Sequence, residues 1–227
     1  PLIEIVTEPD IRSAAEAAAF VENLRAILLY ADVSDCRMEE GSLRCDVNIS
    51  LRPEGQEEFG ERTEIKNLNS FRAVLKAIEK ETERQEDILN AGGKITRDTL
   101  HWDDVNEEVS VLRSKEASDD YMYFPEPDIL PIVIDDAWVE RVKNSLPEMP
   151  QVKRRRYLEE YGLNHKEVNI ILAAKKLADV FDEAIACGLK PQIACNWIKG
   201  DISRVLNERG MDPENMPLDG QRLYGLV

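Results

Sequence analysis

The chain has 227 residues, of which 43% are hydrophobic and 33% are charged, and this composition excludes general disorder. It carries 29 Lys and Arg residues against 45 Asp and Glu residues, and its net charge of −16 lies entirely in residues 1–146. An acidic surface is a poor general platform for nucleic acid, so we expect no DNA partner and only local contacts with RNA. Every apolar run is shorter than the roughly 20 residues that cross a bilayer, so no membrane partner is expected.

The first part of the chain begins with alternating strand and helix signals. Residues 1–6 are apolar apart from one glutamate and predict a strand. Ser13 and Glu16 form a capping-box pattern before apolar residues at helical spacing, which predicts a helix. Alternation of apolar and polar residues then predicts two strands, at 43–51 and 62–67.

The pattern continues to about residue 135. Ser70 predicts the start of a long amphipathic helix that ends at Ala91-Gly92-Gly93, and residues 94–135 return to strand-like patterning. The order β-α-β-β-α-β-β predicts an α+β fold with a mainly antiparallel sheet and its helices on one face.

A proline-rich stretch, LPEMP at 146–150, predicts a domain boundary. We therefore divide the chain into a domain of residues 1–146 and a small all-α domain of residues 147–227. Glycines follow each of the three helices that helical spacing predicts in the second domain, at 151–161, 165–187 and 191–209.

The polar face of the two predicted strands is the most informative feature for function. Arg44, Asp46 and Asn48 alternate with apolar residues on the first strand, and Glu64 and Lys66 do so on the second. Interleaved carboxylates, cations and amides are typical surroundings of a metal-bound phosphate. The alternative is a solvated outer face with weak cross-strand charge pairs, which is common on antiparallel sheets.

Two neighbouring segments favour the functional interpretation. The loop 38–42 places Glu39 and Glu40 beside a Gly-Ser turn. The segment 64–70 ends a strand and opens a helix, where backbone N–H groups attract anions.

Several motifs resemble the B subunit of the tRNA-dependent amidotransferase that converts Glu-tRNA(Gln) to Gln-tRNA(Gln), and often Asp-tRNA(Asn) to Asn-tRNA(Asn). The resemblance runs through nearly the whole chain in the same order, in the motifs PLIEIVTEPD (1–10), DCRMEEGSLRCDVNISLRP (35–53), TEIKNLNSF (63–71) and DYMYFPEPD (120–128). We expect the chain to correspond to part of such a protein, without an upstream stretch and a C-terminal tail domain.

The resemblance implies a partial glutamine-synthetase-like cradle and a cytoplasmic, ATP- and Mg²⁺-dependent ligase. It implies phosphorylation of the side-chain carboxylate of the aminoacyl-tRNA, followed by displacement of phosphate by ammonia. The implied partners are the two other members of a heterotrimer, which are an amidase and a small third subunit, together with the misacylated tRNA. Two alternatives stay open: a noncatalytic tRNA-binding scaffold, and a related ligase that acts on a small acid.

The resemblance also suggests roles for individual residues. Carboxylates suit Mg²⁺, so Glu8 and Glu64 are the leading metal ligands, followed by Asp46 and Glu39. Arg44 and Lys66 are the expected contacts with phosphate. Together with Glu64, they make up the expected catalytic set. Residues expected to orient substrate or metal-bound water are Asn48, Asn67 and Asn69. Turn formation, helix capping and ordinary salt bridges are the alternatives for all of these.

Two positions depart from the family pattern. Met122 stands between two tyrosines where the family usually has Arg, and His101 begins a stretch where an Arg-aromatic-Asp pattern is expected. A further acidic group, which a solvated loop explains at least as well as a ligand site does, comprises Asp119, Asp120, Glu126 and Asp128.

Two further features concern the second domain and the redox state. The basic run 153–156 is either a solvated helix surface or a contact for the tRNA backbone. The four cysteines show no C-x-x-C pairing, so we expect buried free thiols, no zinc site and a reducing compartment.

Overall fold

The computed structural model describes residues 2–114 and 127–227 of the chain. The chain divides into two compact units. The first comprises Pro1–Arg25 and Ser34–Val133, and the second comprises Ala26–Val33 and Ile134–Val227. The long helix α1, Ala14–Tyr30, contributes residues to both units.

The first unit contains a four-stranded sheet in the order β1-β2-β3-β4. Its strands are β1 Cys45–Ile49, β2 Thr63–Leu68, β3 Asp98–Asp103 and β4 Glu108–Ser114. β1 and β2 are antiparallel, as are β3 and β4, but β2 and β3 are parallel. The prediction of a mainly antiparallel sheet is therefore confirmed in part: two of the three pairings are antiparallel, but the parallel pair of β2 and β3 makes the sheet mixed. The helix between β2 and β3 accounts for the parallel pair. It carries the chain back to the end of the sheet at which β2 begins, so β3 runs in the same direction as β2.

That connecting helix is α2, Phe71–Asn90, and it covers the apolar face of the sheet. Ser70 caps it as predicted, since its hydroxyl accepts a hydrogen bond from the Ala73 N–H at 3.0 Å. Val74 and Ala77 on the helix pack with Ile65, Leu100 and Trp102 on the strands in one buried cluster. The opposite face of the sheet is left for polar side chains.

The apolar segments at either end of this unit are not strands. Residues 2–6 are exposed and have no regular secondary structure, and residues 127–135 contain no strand either. A strand requires a neighbour that satisfies its backbone N–H and C=O groups, and neither segment pairs with a strand in the described part of the chain. The strand signals at Tyr121 and Tyr123 lie outside the described residues.

From residue 134 onward the described elements are helical. They are α3 Asp136–Ser145, α4 Pro150–Glu159, α5 His165–Leu172, α6 Lys175–Ala186, α7 Pro191–Trp197, a π-helical turn Ile198–Ile202, α8 Ser203–Arg209, a 3₁₀ turn Pro213–Asn215 and α9 Gly220–Leu226. Tyr157, Phe181 and Leu223 are fully buried in the core of this unit, and Tyr30 from the end of α1 joins them.

Two of the predicted helices differ in detail from the observed ones. The helix expected at 165–187 is interrupted at Ala174, whose backbone is extended, so that α5 and α6 are separate. The helix expected at 191–209 contains the π-helical turn, in which the hydroxyl of Ser203 donates to the carbonyl of Ile198 at 2.6 Å. Helix α3 was not predicted, although Asp135 caps it by accepting from the Trp138 N–H.

Among the described residues, no helix is both long and apolar enough to cross a membrane. All four cysteines are free thiols, as predicted. Cys36 and Cys195 are buried, but Cys187 is exposed, so the expectation of burial is wrong for that residue.

Candidate functional site

The candidate site lies on the face of the sheet opposite α2. Alternation along β1 exposes Asp46 and Asn48 and turns Val47 toward the core, and alternation along β2 turns Glu64 to the same outer side. Asn48 lies directly across from Glu64 in the antiparallel register. Four of the residues predicted for the site thus share one face of two neighbouring strands, the fourth being Lys66.

A β-bulge in β2 determines how the charged side chains meet. Between the pairs Cys45–Leu68 and Val47–Ile65, β1 advances by two residues and β2 by three. Asn67 provides the extra residue and has a φ of 68°, in the left-handed region that Asn tolerates better than most side chains. The bulge returns Leu68 to the core and leaves Lys66 and Asn67 together on the outer side, opposite Asp46.

Lys66 joins the two carboxylates of this face. Its Nζ lies 2.9 Å from Oδ2 of Asp46 and 3.2 Å from Oε1 of Glu64. Hydrogen bonds to Asp46 first, and to Glu64 second, hold the pKa of Lys66 above its usual value. The carboxylates on β1 and β2 therefore converge on the same ammonium group.

The third strand supports Glu64 from its other side. Thr99 on β3 is aligned with Glu64, and its hydroxyl donates a hydrogen bond to Oε2 of Glu64 at 3.3 Å. Thr99 is fully buried, whereas the Glu64 side chain is 20% exposed. Thr99 could not be predicted from the sequence, because periodicity alone does not reveal which residue of a parallel strand lies beside Glu64.

The same parallel register brings two more predicted positions to the site. His101 on β3 is aligned with Lys66 on β2. The side-chain amide of Asn67 donates to the backbone carbonyl of Trp102 at 3.3 Å, so Asn67 connects the bulge to β3. The departure at His101 thus places an imidazole, rather than a guanidinium, beside the Lys66 position.

Arg44 directly precedes β1, and Glu39 lies in the turn before it. The loop that carries Glu39 is fixed by Ser42, whose hydroxyl accepts from the Arg37 N–H at 2.8 Å and bonds to Asp35. A Cβ added to Gly41 would lie 3.6 Å from the guanidinium of Arg44, so that side chain lies over the glycine. Arg44 is exposed and makes no ion pair within residues 2–114 and 127–227.

Glu8 and Glu39 are exposed and do not join Asp46 and Glu64 through any hydrogen bond or ion pair in the described part of the chain. Within that part, no group of three or more His, Cys, Asp or Glu residues is arranged to hold a metal ion. Asp46 and Glu64, the two carboxylates that do converge, both contact the ammonium of Lys66. Carboxylates are the type of oxygen ligand that Mg²⁺ takes in proteins, with phosphate and water completing its shell.

The basic run 153–156 is largely committed to the interior of the second unit. Lys153 is 7% exposed and pairs with Asp182, and Arg156 bonds to both Asp182 and Glu148. Arg154 donates to Asn169. Arg155 alone of the four is exposed without a hydrogen bond or ion pair to any described residue. The run is therefore not a continuous basic surface.

Part of the predicted acidic group cannot be placed. Asp119, Asp120 and Glu126, as well as Met122, lie outside the described residues, and Asp128 is exposed.

Residues 1–140 match the family model described as the GatB/GatE catalytic domain. These residues include both strands of the candidate site. Three relatives are named as the B subunit of aspartyl/glutamyl-tRNA(Asn/Gln) amidotransferase. They come from Moorella thermoacetica (49% identical), Caldicellulosiruptor bescii (50%) and Lysinibacillus sphaericus (48%).

Each of these alignments covers the whole chain, but the chain spans only 48% of each relative's length. The resemblance to the B subunit that the sequence motifs indicated is confirmed. The chain belongs to the GatB/GatE catalytic domain family.

Proposed function

We propose that this chain carries the ligase site of a tRNA-dependent amidotransferase, which amidates the side-chain carboxylate of Glu-tRNA(Gln) or Asp-tRNA(Asn) at the expense of ATP. The observation that carries the proposal is the convergence of Asp46 and Glu64 on Lys66, within the part of the chain that matches the catalytic domain. The tRNA substrates follow from the names of the relatives.

Each residue of the polar face has a role in this proposal. Asp46 and Glu64 would hold Mg²⁺, and Lys66 and Arg44 would bind the phosphates of ATP. Asn48 is exposed beside Glu64 and would orient the substrate or a metal-bound water. Mg²⁺ would neutralise charge on the phosphates, as it does in phosphoryl transfer generally.

The proposed reaction has two steps, phosphorylation of the carboxylate and then its amidation. A carboxylate oxygen of the aminoacyl side chain attacks the γ-phosphorus, the bond to the β-γ bridging oxygen breaks, and ADP leaves. Ammonia then attacks the carbon of the resulting acyl phosphate, inorganic phosphate leaves, and the nitrogen loses a proton. Positioning and charge stabilisation account for most of the acceleration in such transfers, so a rigid sheet face with fixed charges suits the first step.

The proposal includes two protein partners. The relatives are named as one subunit of their enzyme, so we expect this protein to work with an amidase that releases ammonia and with a small third subunit. The ammonia would reach the acyl phosphate from the amidase.

A second candidate function has support from the same ion pairs. Asp46 and Lys66 are 48% and 38% exposed, and exposed pairs of this kind are common on solvated sheets and contribute only about 0–1 kcal/mol. A noncatalytic tRNA-binding scaffold would carry such pairs without using them. ATP cleavage distinguishes the two functions.

The test uses the complete amidotransferase complex with Glu64→Gln, which removes one charge and keeps the size of the side chain. We expect ATP cleavage dependent on Glu-tRNA(Gln) to fall by about 100-fold or more with free ammonia supplied, and tRNA affinity to be retained. Glu108→Gln is the matched control, since Glu108 is an exposed carboxylate on β4 of the same sheet and should leave the rate unchanged. Unchanged ATP cleavage in Glu64→Gln would overturn the ligase proposal in favour of the scaffold.

A further inference from the structure

A fully buried polar cluster lies on the α2 side of the sheet, behind the candidate site. Thr63 on β2 and Glu81 and Gln85 on α2 each have 0% exposure. Buried polar side chains are costly unless they are hydrogen-bonded, and a buried carboxylate requires a positive partner as well. The bonds of these three residues therefore show what the cluster holds in place.

Glu81 is the centre of the cluster. Its Oε1 accepts from the hydroxyl of Thr63 and from the side-chain amide of Gln85, each at 2.8 Å. Arg84 donates to both carboxylate oxygens, at 2.7 and 2.8 Å, and balances the charge. The amide nitrogen of Gln85 must face Glu81, because a carboxylate accepts and cannot donate.

With its nitrogen so directed, Gln85 reaches the end of β1 as well. Its Nε2 lies 3.3 Å from the carbonyl oxygen of Ile49, and its Oε1 accepts from the backbone N–H of Leu51 at 3.1 Å. β1 is at the edge of the sheet formed by the described residues, and its last pair with β2 is Ile49 with Thr63. The side chain of Gln85 thus fixes β1 at the point where its pairing with β2 ends.

We propose that Gln85 is a positioning residue that sets the location of β1, and with it Asp46, relative to Glu64 and Lys66. The proposal rests on the ligase function proposed above. Ile49 and Thr63, the two strand residues that Gln85 bonds, are the immediate neighbours of Asn48 and Glu64 in the chain. Gln85 touches none of the reacting groups and acts through the backbone of β1.

Removal of these bonds should affect catalysis more than binding. β1 has only five residues and faces the bulge of β2 at Asp46, so its position depends on three consecutive pairs with β2, at residues 47–49, and on the bonds that Gln85 makes just beyond them. A displacement of about 1 Å in a catalytic group is enough to lower a rate by about 100-fold. Contacts with tRNA that lie elsewhere do not depend on this displacement.

The test is Gln85→Met in the complete complex, which keeps a side chain of similar length and removes the amide. We expect kcat for ATP cleavage to fall by about 10- to 100-fold, with the KM for aminoacyl-tRNA unchanged. Backbone hydrogen exchange at residues 45–51 should become faster, which is a readout independent of activity. Gln85→Asn retains an amide but is one methylene shorter, and should give the same division between kcat and KM if Gln85→Met does not fold.

Ile78→Ala is the matched control, because Ile78 is buried on the same helix, in the hydrophobic cluster that α2 forms with the strands, and its side chain has no group that could hydrogen-bond to β1. It should lower the melting temperature while leaving kcat unchanged. Equal effects of Gln85→Met and Ile78→Ala on kcat would overturn the positioning role. If Glu64→Gln abolishes ATP cleavage in the same assay, the ligase proposal stands even when the Gln85 proposal fails.

Discussion

The ammonium nitrogen of Lys66 lies 2.9 Å from Oδ2 of Asp46 on the neighbouring strand, opposite the bulge of β2. In a regular ladder the residue after Lys66 would point into the core. The left-handed conformation of Asn67 inserts one residue, and the strand resumes its inward pattern at Leu68. The bulge therefore lets a strand with an apolar face present consecutive polar residues to the site.

The backbone of Asn67 gives the first prediction. Both Asn67→Gly and Asn67→Ala remove the hydrogen bond to the Trp102 carbonyl, but only alanine is strained at a φ of 68°. We expect the alanine variant to be less stable than the glycine variant by about 1 kcal/mol in urea unfolding. Equal stability of the two would show that the left-handed conformation is not required.

The basic run on α4 gives the second prediction, which contrasts two of its members. Asp182→Asn leaves the charge of Lys153 buried with a weaker partner and should destabilise the protein by about 3 kcal/mol. Arg155→Gln should change stability by less than about 0.5 kcal/mol, since Arg155 is exposed and pairs with no described residue. Chemical denaturation of both variants measures the contrast, and similar losses would contradict the inward orientation of Lys153.

The start of α5 gives a prediction of pH dependence. Hydrogen bonds from Lys199 first, then from the Asn164 backbone and Gln192, lower the pKa of Glu167 to about 2 from an ordinary 4.5. A carboxylate with a lowered pKa stabilises the folded state above its unfolded pKa, and this contribution is lost as the pH falls from about 4.5 toward about 2. Glu167→Gln should therefore be less stable than the parent at pH 7 and converge with it in acid. A constant difference in melting temperature across that range would refute the assignment.

The contact between α6 and α9 gives the fourth prediction. A Cβ on Gly220 would lie 2.2 Å from Cβ of Glu183 and 2.4 Å from the Ala184 nitrogen, so Gly220→Ala must separate the two helices. We expect a loss of about 1–3 kcal/mol of unfolding free energy. Gly225 on the same helix has no atom within 4 Å of its added Cβ, and Gly225→Ala should stabilise by up to about 1 kcal/mol. Calorimetry of the two variants measures the two effects separately, crowding between the helices at Gly220 and helix propensity at Gly225.

Local patterns predicted much of the fold and part of the site. Alternation placed Asp46, Asn48 and Glu64 on one face, and the cap at Ser70 was visible in the sequence. These features depend on residues within a few positions of each other, which is the range that periodicity reports.

What the sequence did not reveal depends on distant partners. The parallel pairing of β2 with β3 brings Thr99 to Glu64 from 35 residues away. Lys153 and Arg156 point inward because Asp182, on another helix, accepts both of them. The bulge at Asn67 was also missed, since an Asn in a strand-like run equally fits a turn or a cap.

The exposed thiol of Cys187 has a practical consequence. Burial is the main cause that raises the pKa of Cys45 and of Cys195 to about 11, so both thiols remain protonated at neutral pH. Cys36 is buried. Because thiol reagents attack the accessible thiolate, a maleimide dye should attach to this chain first at Cys187, without any cysteine having to be replaced. The chain thus comes with a natural labelling point at the end of α6, from which fluorescence anisotropy can test the proposed binding of aminoacyl-tRNA.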